Sequence, residues 1–251
     1  MHALLFALIG LVGLAAPQDP APKPQPKPVE WVKEPDTEVK FPSWMRSKQH
    51  DKTMELCGVA VRDKRFVILV NVYAYALYID EPSIQAHFQA FFSQRPKKAE
   101  NNRLFEALGK DEITRTIKLQ FVRDVSAKKV RGAFEDSIEP RLKIAREKKG
   151  WTDGDKALTT FRSFFTKEID DGQTIEFTWL PGHKLVTTVN GTVMQTIESK
   201  ALTWALWDTY FGDDPIETKG KSTAVKRLLD ILQKTPKVDP EQKDKPKEEP
   251  K

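Results

Sequence analysis

Residues 65–79 read RFVILVNVYAYALYI, and no other stretch of the chain says as much about its architecture. The run is rich in β-branched and aromatic residues and carries no helix start or stop signal, so it is a strand. One parity holds Phe66, Ile68, Val70, Val72, Ala74, Ala76 and Tyr78, and the other holds Val67, Leu69, Asn71, Tyr73, Tyr75 and Leu77. Both faces are largely apolar, which places the strand inside a sheet, with a covering layer on each side. On the second face Asn71, Tyr73 and Tyr75 set three polar groups in a row within otherwise apolar surroundings.

Working outward, residues 113–122 (ITRTIKLQFV) alternate an apolar face with a mixed polar one, the half-exposed pattern of an antiparallel sheet. Three more strands form a meander over 174–180, 184–189 and 192–197. Its first turn is Pro181-Gly182-His183 and its second is Asn190-Gly191, the pair favoured where both turn residues need positive φ. Ser126 is placed to cap a helix over 127–138 whose stripe is Val130, Phe134 and Ile138, with Pro140 expected to break or kink it. Asp153 is placed to cap a second helix reaching about 168. Ser199 caps a third over 200–211, which Gly212 is expected to end in the left-handed conformation. A last amphipathic helix spans 223–233, and 82–92 reads as helical too. Strands, helices, a meander and helices again make an α+β domain with a long antiparallel sheet under a helical layer.

The ends of the chain differ in kind. Residues 3–16 are an apolar run interrupted only by two glycines and ending in small residues. That is too short for a membrane span and suited to a secretory signal cleaved near Ala16. The expectation is an exported, periplasmic or secreted protein. Residues 17–39 alternate proline with lysine as a polyproline spacer, and 234–251 are proline and charge with almost nothing to bury. The folded domain is then 40–233. With a single cysteine, Cys57, no disulfide can form within the chain, and a cysteine-rich zinc site is excluded. The formal charge of +5 is finely interspersed, which argues against a nucleic-acid partner. His2, His50, His87 and His183 have no serine or cysteine partner nearby, and there is neither a paired-histidine metal motif nor a glycine-rich phosphate loop. No cofactor and no metal are expected.

Four segments in order resemble the chalcone isomerase-like family. Residues 56–80, LCGVAVRDKRFVILVNVYAYALYID, are similar to its opening hairpin, and 119–134, LQFVRDVSAKKVRGAF, to its strand ending in arginine-aspartate-valine before a helix. The meander over 171–197 and the stretch 206–215, LWDTYFGDDP, resemble its end. The resemblance implies an open-faced β-sandwich: a long antiparallel sheet, a helical layer on one face, a smaller sheet, and a ligand cleft between helices and sheet.

It also implies roles. The family's arginine falls at Arg62, the strand threonine of its enzymes at Tyr73, and their catalytic tyrosine near Val125, which has no hydroxyl. Two of three polar positions depart from the enzymes, whereas the fatty-acid-binding members pair an arginine with a tyrosine. A guanidinium offers a carboxylate a two-pronged partner and a phenol adds one donor. The reading is therefore a binder of a fatty acid or similar amphipathic acid, with Arg62 and Tyr73 at its head and Asn71 and Tyr75 in the wall. No catalytic residue is assigned. An intramolecular lyase of the chalcone–flavanone type is the first alternative. The second is an interaction module with a filled core, in which Arg62 is a surface turn residue and Tyr73 packs. Arg65 can substitute for Arg62 if a bulge shifts the register, and Arg115 and Lys118 are further anion partners.

Overall fold

The computed structural model describes residues 28–47, 51–65, 69–80, 82–84 and 100–234. Ten strands and five helices are named among them, and residues 82–84 are helical as well. Strands β1 (Trp31–Lys33), β2 (Lys40–Pro42) and β3 (Trp44–Arg46) are short. The long hairpin β4 (Thr53–Arg65) and β5 (Leu69–Asp80) follows. After helix α1 (Glu100–Leu108) come β6 (Arg115–Phe121), α2 (Ala127–Lys149) and α3 (Gly154–Ser163). The meander is β7 (Thr174–Leu180), β8 (Lys184–Val189), β9 (Thr192–Val193) and β10 (Ile197–Glu198). Helices α4 (Lys200–Phe211) and α5 (Lys219–Lys234) end the fold.

The main sheet runs β10-β8-β7-β6-β5-β4-β3, with β9 on β8, and every pairing in it is antiparallel. Strand β5 lies between β4 and β6, as its two apolar faces require. Tyr75, Leu77 and Ile79 point into the larger core beneath the helices, and Ala74, Ala76 and Tyr78 into a smaller one with Val39, Phe41, Met54 and Leu56. That second core is closed by the β1–β2 ribbon, and the Tyr78 hydroxyl donates to the Pro42 carbonyl at 3.0 Å. Residues 31–33, within the stretch expected to be a solvated spacer, thus belong to the fold as an edge of this small sheet.

The hairpin carries two irregularities in its register. Leu56 faces Tyr78 and Gly58 faces Leu77, so Cys57 is an extra residue in β4. Arg62 faces Tyr73 and Asp63 faces Asn71, so Val72 is an extra residue in β5. Each bulge exchanges the faces of the residues beyond it, and the second one reshapes the site.

Several local expectations change in tertiary context. Helix α2 continues through Pro140 to Lys149, because the helix needs to lose only the one backbone donor that proline lacks. Ser126 occupies the position before α2 but its hydroxyl makes no capping bond. Asp153 does not cap its own helix; its carboxylate accepts from the Lys200 and Ala201 amides, at 2.7 and 3.2 Å, and so caps α4. Ser199 shares that task, accepting from the Leu202 amide at 3.1 Å. Gly212 ends α4 in an extended conformation, φ −69°, not a left-handed one. Its lack of a side chain is needed because a Cβ there would meet the Asp208 carboxylate. Asn190 and Gly191 both have positive φ, as the two-residue hairpin requires. Helix α3 stops at Ser163, short of 168, and α5 begins at Lys219, four residues before Thr223. The 82–92 helix is seen only at 82–84; the rest, like residues 1–27 and 235–251, lies outside the described residues. No described helix is long and apolar enough to cross a membrane.

Candidate ligand site

Under the helical layer the sheet and helices meet in a dense aromatic cluster, with Phe134 of α2 against Phe161, Phe165 and Phe177 at ring separations of 5.1 to 5.5 Å. Toward the Phe121 end of β6 the layers part. A cavity of about 390 Å³ opens there, floored by Val72, Tyr73 and Phe121 and roofed by Val130, Ala133 and Phe134 of α2. Arg62 of β4, Tyr210 of α4 and Ile216 complete one wall; Arg123, Asp124 and Lys129 ring the other side. Its size falls in the roughly 300–1,000 Å³ range of small-molecule pockets, and its lining joins an apolar floor and roof to a polar and charged rim.

The polar end is built by register. Arg62 is half-buried and directly opposite Tyr73 on the neighbouring strand. Its guanidinium donates through Nη1 to the Ile216 carbonyl, which holds it over the cavity. The Tyr73 hydroxyl lies 3.2 Å from that of Tyr210, and the Tyr73 ring packs against Phe121 with centroids 5.4 Å apart. Burial raises the pKa of both phenols, although the Arg62 charge pulls each down. At neutral pH they are protonated donors beside a cation, an arrangement that favours an anionic oxygen.

The four residues singled out from the sequence separate here. Arg62 and Tyr73 come together at the cavity. Asn71 does not line it: the bulge at Val72 turns Asn71 to the other face, where its Nδ2 donates to the Asp36 carbonyl at 3.1 Å. The same bulge brings Val70 and Val72 to the cavity side, the opposite of strict alternation. Tyr75 faces the helices but lies behind the cavity wall, fully buried, its ring 5.3 Å from that of Tyr210. Its hydroxyl has no hydrogen-bond partner among the described residues and abuts Gly220 of α5. Lys118 pairs with Glu176 at 2.8 Å on the face away from the helices, and Arg115 lies at the far end of β6. The side chain of Arg65 is outside the described residues. Arg62 itself is within a strand, since β4 continues to Arg65, and not in a turn.

Tyr210 is the residue that sequence patterning passes over. It sits on the apolar face of α4, where a phenol reads as packing, and only its pairing with Tyr73 marks it out. Val125, at the place of the family enzymes' tyrosine, does line the cavity and brings no hydroxyl to it.

An antiparallel sheet under helices, with a cleft between them headed by arginine and tyrosine, defines an α+β protein of the open-faced sandwich class. The chain belongs to the chalcone isomerase-like family, whose model matches residues 36–223. It is 31% identical over 199 residues to fatty-acid-binding protein 1 of Arabidopsis thaliana, covering 76% of this chain and 68% of that protein. To fatty-acid-binding protein 2 of the same plant it is 24% identical, and it spans 54% of that protein's length. A crystal structure of an A. thaliana fatty-acid-binding protein superposes with a TM-score of 0.68 at 26% identity, over 81% of this chain and all of that one.

Proposed function

We propose that this protein binds a fatty acid in the cavity beside Tyr73. The observation that carries the reading is the convergence of one guanidinium and two neutral phenols at one end of a cavity with an apolar floor and roof, whose other side carries Arg123, Asp124, Lys129 and Asp136. The carboxylate accepts from Arg62 and from Tyr73 or Tyr210, and the hydrocarbon lies between Phe121 and the α2 side chains Val130 and Phe134. A carboxylate taken out of water needs such partners, because an unpaired one costs several kcal/mol. The names of the relatives support the same ligand class. The intramolecular-lyase alternative has less support, because Val125 puts no proton donor or acceptor where the family enzymes have one. A filled-core module fits poorly with a cavity of about 390 Å³. Export remains part of the proposal on the strength of the apolar run over residues 3–16 alone, and fractionation of the native host with N-terminal sequencing of the mature chain tests it.

The ligand reading is tested by solvent extraction of the purified protein with mass spectrometry, and by calorimetric titration with saturated C10–C18 acids. Saturable binding is expected. Arg62→Ala should weaken it by about 10- to 100-fold, since a hydrogen bond to a charged group contributes about 1.5–3 kcal/mol. Absence of both a copurified acid and a titration signal would overturn the reading.

A further inference from the structure

The opposite end of the same sheet–helix interface holds a second, smaller cavity, of about 190 Å³, between Arg115, Trp179, His183, Trp151 and Trp204. Arg115 lies six residues along β6 from Phe121, about 20 Å at the usual strand rise, so the two cavities are separate. The chemistry at this end is cationic and aromatic. Trp151 and Trp204 meet edge to face with centroids 6.1 Å apart. The Lys200 ammonium stands 4.6 Å from the Trp151 centroid and that of Lys149 stands 4.8 Å from Trp204. Among the described residues neither lysine has an ion-pair partner. Lys200 and Lys110 are among the residues that line the cavity, whereas Lys149 stands outside the lining.

One acid, Asp111, lines the cavity itself, and the charge of Glu112 also reaches Arg115. Asp111 accepts from the Gly182 and His183 amides at 2.8 and 2.6 Å and faces His183 Nδ1 at 3.1 Å. Asp153 is spent on the α4 amides. Arg115 is 2% exposed, and its guanidinium lies 5.3 and 4.6 Å from the Trp179 and Trp207 ring centroids. It donates to the Gly109, Lys110 and Ile113 carbonyls, but its Nε has no partner among the described residues. Burial without a direct carboxylate partner lowers its pKa, the condition a bound anion would relieve.

We propose that this cavity is a second ligand site, for a small aromatic carboxylate of about the size of benzoate. Lys200, Lys110 and the Arg115 guanidinium attract the carboxylate, and the indoles of Trp151 and Trp204 supply flat walls for the ring. The volume suits this occupant, because a cavity of about 150 Å³ is enough for benzene. A bare inorganic anion would leave the indole walls unused, and a long hydrocarbon does not fit.

The test is titration of the full-length protein with benzoate, acetate and inorganic phosphate, followed by calorimetry and tryptophan fluorescence. Lys200→Gln and Trp204→Leu are titrated in parallel. Saturable benzoate binding is expected, with quenching and at least fivefold weakening in each variant. Acetate and phosphate should bind at least tenfold more weakly, and a saturating long-chain fatty acid should leave benzoate binding in place. No saturable benzoate binding overturns the proposal. So does phosphate binding as tight as benzoate, or displacement of benzoate by the fatty acid, which would put it in the larger cavity. Affinity unchanged in both variants would overturn it too. The fatty-acid titration of unmodified protein is read separately, so failure of either site is told apart from failure of the other.

Discussion

The two ends of strand β6 make opposite use of an arginine. At the Phe121 end, Arg62 reaches in from β4, half-buried, with one hydrogen bond among the described residues, to the Ile216 carbonyl, so most of its donors remain available there. At the other end, Arg115 is buried between two indoles and donates to three backbone carbonyls that lie at and beyond the end of α1. The first arginine keeps donors free for the proposed fatty acid; the second has given its donors largely to the backbone and offers the smaller cavity only its charge. The cavity beside each one differs accordingly. The larger has an apolar floor and roof with Arg62 and two phenols at one end and a charged rim at the other, and the smaller has aromatic walls with Lys110, Lys200, Arg115 and Asp111 around them. Between them Phe134, Phe161, Phe165 and Phe177 fill the interface. A guanidinium alone therefore says little about binding; what matters is how many of its donors the fold has already taken.

The largest expected effect breaks that contrast in stability. Arg115→Met leaves the Gly109 and Ile113 carbonyls without their donor, each costing about 1–3 kcal/mol, while the Lys110 carbonyl keeps the Ile113 amide at 3.3 Å; it should lower the urea midpoint by an amount worth about 2 kcal/mol or more. Arg62→Met should cost less than about 1 kcal/mol while weakening the fatty acid. Equal losses in chemical denaturation would erase the distinction between the two arginines. Next in size is chain length. Each methylene buried in the larger cavity contributes about 0.8 kcal/mol, so removing two should weaken binding by about tenfold or slightly more. A flat affinity series would mean the tail lies outside.

The phenols at the binding end also give it a pH signature. Burial raises the pKa of Tyr73, Tyr75 and Tyr210 above the usual value of 10.0. Above about pH 10 the unfolded chain releases these protons while the folded protein keeps them, so the native state holds more protons and stability falls as pH rises. Urea midpoints should drop between pH 9 and 11, and less steeply in Tyr210→Phe. A smaller effect comes from Tyr75→Phe. Removing a buried hydroxyl that has no partner among the described residues should raise stability by about 1 kcal/mol and leave fatty-acid affinity unchanged. The smallest is Asn71→Ala, which should alter that affinity by less than about twofold, because the residue faces the other core. A larger loss would place Asn71 in the cleft after all.

Much of the architecture was legible in the chain. The two apolar faces of β5, the Asn190-Gly191 turn, the Ser199 cap and the Val130–Phe134–Ile138 stripe each follow from local periodicity or turn chemistry, and each holds in the structure. Arg62 and Tyr73 were reachable only through the family pattern, since alone they read as a turn residue and a packing aromatic. Strand β4 had no clean alternation to announce it, because the bulge at Cys57 shifts its faces midway.

What the sequence by itself determined is the order and type of most elements and the two-sided cover of the central strand. Those are properties of residue type and spacing along one segment. Only the tertiary structure decided that Asn71 turns away, that Tyr210 meets Tyr73, that Asp153 caps the neighbouring helix α4, and that Arg115 is consumed by backbone. Each of these depends on which residue a distant segment brings opposite. A one-residue bulge or the packing of another helix changes that partner without leaving a mark in the local sequence.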